Sequence, residues 1–448
     1  MHRRLLPNID LVPEMLRRIG LSDISDLFSD IPKEIMLEEP PDIGKQLSEL
    51  ELEREFDKIA SKNTIGICFA GGGCWFHYVP AIVDEVAGKQ ELYTSYTPYQ
   101  AEVSQGALQA IFEYQSLMAE LLNVDVVTAS HYDWSTALAE AALMSARVTH
   151  RKRVIIPENI HPEREEVLKT YSAGAGLKVE RYSMERETGE VDISSLKPDE
   201  STAMVYFESP NFFGIVERKA REIAEIAREK GALVVAGVDP LSLGIFRPPD
   251  ADIVVGEGQH LGSYPSFGGP SLGIIGVKMD ARLIRQLPGR IIGMTESFDG
   301  VRGYCMALQT REQHIRHEAA TSNITTNESL MAVRAAVYLS LLGKSGIRSL
   351  CEKILANTNY MAERIEEIGL RPLFNGVRFR EIPVDGNVDW VEVNRRLLKR
   401  GIIGGSPLRK LFPGRFDHLG NIALFSTTEL HKKEDIDFLI ESLKEVVK

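Results

Sequence analysis

The chain has 448 residues, of which 44% are hydrophobic and 26% are charged, and its formal net charge is −12. These values are typical of a globular protein with more than one core. The negative charge argues against a nucleic-acid partner, because phosphate binding needs dominant basic patches. The longest apolar runs are too short to cross a membrane, and Pro7 and Asp10 interrupt any signal-like segment. We therefore expect a cytoplasmic protein that binds neither nucleic acid nor membrane.

Residues 1–62 are predicted to form an N-terminal helical arm. Apolar residues recur at helical spacing between Leu16 and Leu27, and the pattern is broken by Gly20 and Pro32. A second segment, residues 42–63, is strongly charged and has only a thin apolar face. This composition is typical of an arm that packs on a surface or on a partner rather than in a core.

Residues 63–325 are predicted to form a large α/β domain. A β-run that ends in glycines and a helical segment at 104–124 are followed by regularly alternating strands and helices. Several strands, such as residues 203–209 and 233–238, are continuously apolar, as parallel strands covered by helices on both faces should be. From residue 326 to 448 long helices and short strands indicate a smaller C-terminal α+β domain.

The glycine cluster "FAGGGCWFHYVP" follows a β-run and raises the possibility of a nicotinamide dinucleotide site. The fingerprint of such a site needs spaced glycines that open a helix. Here Gly71, Gly72 and Gly73 are contiguous, and bulky aromatic residues follow them. The pattern favours a structural turn over a dehydrogenase site.

Metal and thiol chemistry have weak support in the sequence. His314 and His317 are three residues apart on a predicted helix, but no second cluster completes a metal shell, so a charged helix surface is the better interpretation. The four cysteines contain no C-x-x-C pair. Cys68 and Cys74 flank the glycine cluster, and we expect them to be buried and inert.

Three further features have both a structural and a functional interpretation. The polar loop from Tyr93 to Gly106 is either a surface loop or a segment inserted into a polar cleft of this chain or of a neighbour. Ser135 and Thr136 begin a helix, where hydroxyls hold a phosphate or cap the helix. Asp239 follows a core strand, where it is either a turn residue or a partner for a pyridinium nitrogen.

A set of motifs closely resembles the glycine cleavage system P-protein family. The motifs are residues 77–126, "PNFFG" at Pro210–Gly214, residues 256–273 and residues 308–327, and the opening at residues 7–32 is similar to the family's N-terminal arm. The resemblance covers essentially the whole chain. It implies the fold of the fold-type I pyridoxal phosphate enzymes, with a transferase-like large domain and a smaller C-terminal α+β domain.

In some members of the family the two homologous halves are separate subunits, and this chain is similar to the N-terminal half, subunit 1. The resemblance implies that glycine is decarboxylated on pyridoxal phosphate held by subunit 2, in a dimer of heterodimers, and that the aminomethyl group passes to the lipoyl arm of the H-protein. The turn from Gly256 to Gly276 has no lysine, and His260 stands where the second subunit has its Schiff-base lysine. An imidazole cannot form that bond, so we expect no cofactor on this chain alone.

Fold-type I sites lie at dimer interfaces, and this gives the polar loop a role. We expect Tyr96, Tyr99 and Gln100 to reach into the partner's site as hydrogen-bonding groups. Ser135, Thr136, Asp239 and His260 are then vestigial positions of a cofactor site.

The chain departs from the family pattern at Gly71–Phe76, at Trp134-Ser135 and at His260. There are two alternatives to a site-completing subunit. The first, which these departures favour, is a regulatory paralogue that only binds or regulates the partner. The second is a self-sufficient pyridoxal phosphate enzyme, which would need a lysine where the sequence has His260, because Lys278 is too far along the following strand.

Overall fold

The computed structural model describes residues 7–37, 39, 41–93, 100–321, 323–325 and 327–447. The chain divides into two compact units, Met1–Thr64 and Ile65–Lys448. In the described part of the first unit, Leu16 is the single buried hydrophobic residue. The α-helices there are Val12–Arg18 and Glu49–Ala60, so the predicted stripe from Leu16 to Leu27 extends beyond the first of them. Ser48 and Glu51 cap the second helix reciprocally.

The described residues form the following regular elements, numbered in chain order. The α-helices are α1 (Val12–Arg18), α2 (Glu49–Ala60), α3 (Ala81–Ala87), α4 (Gln90–Tyr93), α5 (Gln105–Leu122), α6 (Trp134–Thr149), α7 (Pro162–Ala175), α8 (Ala220–Glu229), α9 (Ala281–Gln286), α10 (Gln313–Arg316), α11 (Ser329–Glu367), α12 (Trp390–Leu398), α13 (Leu408–Leu411) and α14 (Lys433–Val446). The strands are β1 (Ile67–Cys68), β2 (Val126–Val127), β3 (Arg153–Pro157), β4 (Lys178–Tyr182), β5 (Thr202–Ser209), β6 (Leu233–Val238), β7 (Ile253–Glu257), β8 (Gly273–Val277), β9 (Ile291–Glu296), β10 (Arg302–Ala307), β11 (Arg371–Pro372), β12 (Glu381–Asp385), β13 (Ile402–Ile403), β14 (Ser406–Pro407) and β15 (Ile422–Ser426).

The main sheet of the described residues has seven strands in the order β2-β8-β7-β6-β5-β3-β4. In this order, each pair of neighbouring strands from β7 through β6, β5 and β3 to β4 is parallel. Strand β8 is antiparallel to both of its neighbours, β7 and β2. The sheet is therefore mainly parallel, as the sequence predicts. Because the carboxyl ends of β6 and β7 share one edge, the residues that follow these strands lie close together.

The side chains of the central strands alternate between two cores. Met204 and Tyr206 point to the face that α6 covers, whereas Val205 and Phe207 point to the face covered by α5, α8 and α11. Both faces are buried, and this explains why these strands are apolar without interruption. The sheet is thus a rigid layer between two sets of helices.

The C-terminal elements form a second sheet of four strands in the order β11-β12-β15-β14. Its core includes Trp390 and Phe425 and the apolar face of α14. Strand β1 is not part of the main sheet. It pairs with β13, where Ile67 lies opposite Ile402. The domain boundaries that the sequence predicts, between residues 62 and 63 and between residues 325 and 326, remain predictions.

The sequence predicts two helices after residue 326, at 327–343 and 347–369, and α11 consists of two helical segments that meet at a kink at Gly343, where φ is 57° and ψ is −175°. Two parts of the fold differ from the sequence-based expectation. Strand β4 and the β9–β10 hairpin were not predicted at all. In the described chain α11 is the one helix that is long and apolar enough to cross a membrane, but Tyr338 and Ile354 pack in the core of the main sheet.

A close backbone approach joins the "PNFFG" turn to the second sheet. Gly214 has φ +77°, and a Cβ added there would lie 2.6 Å from both the Cβ and the carbonyl oxygen of Glu381. The Phe379 amide donates to the Gly214 carbonyl at 2.8 Å. Only glycine fits a position that combines a left-handed backbone with this contact.

Glu381 in turn holds the glycine cluster. Its Oε1 accepts hydrogen bonds from the amides of Gly72 and Gly73 and from the Trp75 indole at 2.9, 3.3 and 2.7 Å. Burial raises the pKa of Glu381 to about 7, although these donors act in the opposite direction. The amides that a dinucleotide phosphate would need are therefore occupied, and the cluster is a structural turn.

We predict that Gly214→Ala destabilises the protein more than Gly401→Ala. Gly401 has φ +75° but no described heavy atom within 4 Å of its added Cβ. The left-handed backbone should cost about 1–2 kcal/mol at both positions, and overpacking should add roughly 1–3 kcal/mol at Gly214. Urea unfolding of both variants measures the difference, and equal destabilisation would contradict the close approach.

We predict that Glu381→Gln changes how stability depends on pH. A carboxyl whose pKa is higher in the folded than in the unfolded protein loses stabilisation as pH rises from its ordinary value near 4.5 through about 7. Glutamine keeps an acceptor oxygen but cannot ionise, so the variant should gain roughly 1–3 kcal/mol relative to wild type between pH 4.5 and 8. The free energy of unfolding, measured across this pH range for the wild type and the variant, tests the sign, and Glu91→Gln at an exposed position is the control. If the free energies of wild type and Glu381→Gln changed in parallel with pH, the prediction would be refuted.

Candidate functional site

Four residues meet at the carboxyl edge of β6 and β7. Asp239 follows β6, Glu257 ends β7, and His260 lies three residues further along. Arg380 immediately precedes β12 and has a positive φ of 56°. The topology brings together groups that are far apart in sequence, and the sequence analysis did not identify Arg380.

The Asp239 carboxylate is engaged at both oxygens. Oδ1 accepts from His260 Nε2 at 2.9 Å and from the Leu241 amide at 3.0 Å, and Oδ2 forms an ion pair with Arg380 at 2.9 Å. Burial alone would raise the pKa of Asp239, but Arg380 and His260 outweigh it and hold the pKa well below its usual range. Asp239 is therefore ionised and already paired.

The charge network continues into the C-terminal segment. Arg380 Nη1 donates to His77 Nε2 at 3.0 Å, and His77 Nδ1 donates to Glu429 at 2.7 Å. Burial lowers the pKa of His77 to about 4, despite the opposing effect of Glu429. His77 is thus neutral near pH 7, and its tautomer is fixed by its two partners.

The N-terminus of α6 is capped by residues of this chain. Asp133 accepts from the Thr136 amide at 2.7 Å, and the Thr136 hydroxyl accepts from the Asp133 amide at 3.1 Å. Glu257 accepts from the Trp134 amide at 3.2 Å. Thr136 is therefore a capping residue, and a carboxylate lies where a phosphate could bind. Ser135 lies in the first turn and lines an open cavity of about 230 Å³.

Aromatic side chains fill the space between these groups. The Trp134 ring stacks under the Arg164 guanidinium at 3.3 Å, and its indole donates to Tyr206 at 3.1 Å. Trp75 lies on the other side, with the Arg380 guanidinium 4.1 Å from its ring centroid. The cavity left between them has a volume of about 20 Å³, close to the roughly 10–15 Å³ that one water needs.

Pyridoxal phosphate does not fit between Trp75 and Trp134. Asp239 is paired at both oxygens, Glu257 accepts from the N-terminus of α6, and the cavity between the two rings is far smaller than a pyridine ring. The neighbouring cavity of about 230 Å³, which Ser135 and Glu257 line, stays open. Lys278 is no substitute for the missing lysine. Strand β8 runs antiparallel to β7, so Val277 lies opposite Ile253, which puts Lys278 at the other edge of the sheet, where it donates to the Asn123 carbonyl.

The remaining predicted residues lie apart from this cluster or outside the described structure. Tyr96 and Tyr99 are not among the described residues, whereas Gln100 is described and exposed. The predicted helix that carries His314 ends before His317, where φ is 51°. The described residues contain no group of three potential ligands that could hold a metal.

The cysteine prediction was partly wrong. Cys68 is half-buried, but Cys74 is exposed, because the glycine cluster leaves the core immediately before it. The pKa of Cys74 is nevertheless raised, first by partial burial and then by Glu257. The thiol is therefore accessible but not activated.

Comparisons with known proteins agree with this fold. Residues 2–443 match the sequence profile of the family described as "Glycine cleavage system P-protein". A relative from Thermococcus kodakarensis, named "Probable glycine dehydrogenase (decarboxylating) subunit 1", is 49% identical over 454 residues, which cover 100% of this chain and 99% of the relative.

Two solved structures define the fold. The crystal structure of a glycine decarboxylase (P-protein) in inhibitor-bound form has a TM-score of 0.87 and 40% identity, with 98% of each chain covered. The glutamate decarboxylase of Lactobacillus brevis CGMCC 1306, at 11% identity, covers 94% of this chain and 98% of its own with a TM-score of 0.67, and shows the fold alone. The fold is that of the fold-type I pyridoxal phosphate enzymes, and the chain belongs to the glycine cleavage system P-protein family.

Proposed function

We propose that this chain is the cofactor-free subunit 1 of a two-subunit glycine decarboxylase. The observation that carries the proposal is the filled site at the carboxyl edge of β6 and β7. Asp239 is paired with Arg380 and His260, and Glu257 takes the place of a phosphate at α6. A chain whose site is closed by its own side chains acts through a partner that holds the cofactor.

In this proposal the partner, subunit 2, binds pyridoxal phosphate through its lysine and decarboxylates glycine. The aminomethyl group then passes to the lipoyl arm of the H-protein. The two subunits form a dimer of heterodimers in the cytoplasm. The name "subunit 1" of the relatives supports a second subunit.

The contribution of this chain to the partner's site comes from the polar loop. Tyr96, Tyr99 and Gln100 orient groups there by hydrogen bonding. The C-terminal end of the loop is fixed, because the Gln105 side-chain amide donates to the carbonyls of Ala101 and Tyr304 at 2.7 and 2.9 Å. A loop that leaves a fixed base reaches a neighbouring site at lower entropic cost.

A regulatory paralogue is the second candidate, and Trp75, Trp134 and His260 favour it as departures from the family pattern. Glycine–bicarbonate exchange by the reconstituted pair separates the two functions. Exchange that depends on this chain supports the site-completing subunit. Exchange by subunit 2 alone at the same rate supports the regulatory interpretation.

We predict that His260→Lys does not create a cofactor site on this chain. The lysine would still face the Asp239–Arg380 pair, and the cavity that this pair lines has a volume of only about 20 Å³. Incubation with pyridoxal phosphate, borohydride reduction and peptide mapping should find no stoichiometric adduct at position 260. In the wild-type complex the reducible adduct should map to the lysine of subunit 2. A stoichiometric adduct on the variant alone would show that only the lysine is missing.

We predict that Tyr96→Phe and Tyr99→Phe lower the turnover of the complex about tenfold or more without weakening assembly. Each variant removes a hydroxyl that donates and accepts in the partner's site, an effect comparable to about 1.4 kcal/mol or more. The matched control is Tyr93→Phe, which removes a hydroxyl from the exposed end of α4. Glycine exchange and sedimentation measure the two effects; unchanged turnover would exclude this role for the loop.

A further inference from the structure

The loop between β7 and β8, residues 258–272, presents a phenylalanine to solvent in an unfavourable backbone conformation. Phe267 is fully exposed, and both Ser266 and Phe267 have positive φ, at 38° and 57°. Residues with a β-carbon avoid this region, and such conformations concentrate at functional sites. Exposure of a large aromatic ring adds no stability to the chain itself, so the folded chain alone does not account for Phe267.

The base of this loop is held rigidly. The Gln259 side chain donates to the Ser263 carbonyl at 2.5 Å, and Arg334 Nε donates to the Gly262 carbonyl at 2.8 Å. The Tyr264 hydroxyl donates to Asp84 at 2.9 Å. These contacts fix both the base and its position beside α3, so the ring at the tip is presented in a defined place.

Neighbouring segments add further exposed apolar side chains. The extended segment of residues 75–79 buries every second side chain and leaves Phe76 and Tyr78 exposed. Ile82, in the first turn of α3, is also exposed. Cys74 lines the same cavity as Pro265 and Gly268, so this segment and the loop are neighbours. We call the exposed residues Phe76, Tyr78, Ile82, Tyr264 and Phe267 the aromatic patch.

The described charged side chains at this surface include no basic cluster. Asp84 and Arg334, which contact the loop, form an ion pair at 2.6 Å, and the Glu429 carboxylate accepts from the Tyr78 amide. Such a surface on a chain of net charge −12 does not suit a nucleic acid or an anionic lipid surface. It suits the apolar surface of another protein, because exposed aromatic residues are the typical anchors of protein interfaces.

We propose that the aromatic patch docks onto subunit 2 and that Phe267 is its anchor. This inference rests on the proposed function, which requires such a partner. Helix α3 leads through α4 directly into the loop that we propose enters the partner's site. The part of the patch next to α3 is therefore continuous in sequence with the loop that we propose meets the same partner.

The test compares Phe267→Gly, Phe267→Ala and Phe298→Ala in the full chain mixed with subunit 2. Phe298 is equally exposed, at the turn of the β9–β10 hairpin, and serves as the matched control. The first two variants should weaken binding about tenfold or more by calorimetry, and Phe298→Ala should stay within about threefold. Phe267→Gly should not lower the melting temperature, because glycine accepts the positive φ without strain.

The outcomes separate this inference from the proposed function. Binding of all three variants at wild-type affinity would overturn the docking surface while leaving the two-subunit complex intact. Loss of self-association by this chain, without loss of subunit 2 binding, would assign the patch to a second copy and also overturn it. If the wild-type chain does not bind subunit 2, the proposed function itself fails.

Discussion

The buried carboxylate of Asp239 sets the main constraint on this molecule. A charge at that depth is tolerated only when it is paired and hydrogen-bonded, since the effective cost of burying an ion is several kcal/mol. Arg380 and His260 supply the pairing, and they come from the C-terminal segment and from the loop after β7. Arg380 also donates a hydrogen bond to His77. One charge thus fixes the relative positions of three distant segments.

The same network bears on the proposed function, in which this chain carries no cofactor. His260 donates to one oxygen of Asp239, and Arg380 pairs with the other. At the helix N-terminus Glu257 provides the negative charge that the helix dipole favours. Asp239 and the N-terminus of α6, two groups that would recognise a cofactor, are therefore already engaged by side chains of this chain.

Much of the fold follows from the sequence, because the central strands are buried on both faces and read as continuous apolar runs. Strand β4 was missed because it lies at the edge of the sheet and its sequence, Lys178–Tyr182, is mostly polar. The position of Asp239 was predictable from its place after a strand. Its partner Arg380 was not, because nothing local marks a residue 141 positions away as a neighbour.

The two interpretations of Thr136 show a different limit. The spacing of Asp133 and Thr136 is that of a reciprocal cap, so the sequence did contain the signal for a structural role. The phosphate interpretation competed only because a hydroxyl at a helix start suits both purposes. What decides between them is Glu257, which lies at the end of another strand. Only the fold brings that carboxylate to the helix.

A filled interior also determines where this chain can influence a reaction. An empty pocket of cofactor size would destabilise the chain, and large-to-small changes at buried aromatic positions typically cost about 3–5 kcal/mol. Trp134, held by Arg164 and Tyr206, fills that space whether or not the protein is catalytic. Because Asp239 and the N-terminus of α6 are engaged inside this chain, we expect an effect on a partner's chemistry to pass through the surface. Two loops have fixed bases, one after β7 and one after α3 and α4. These loops are the parts of the surface that can transmit such an effect with little loss of conformational entropy.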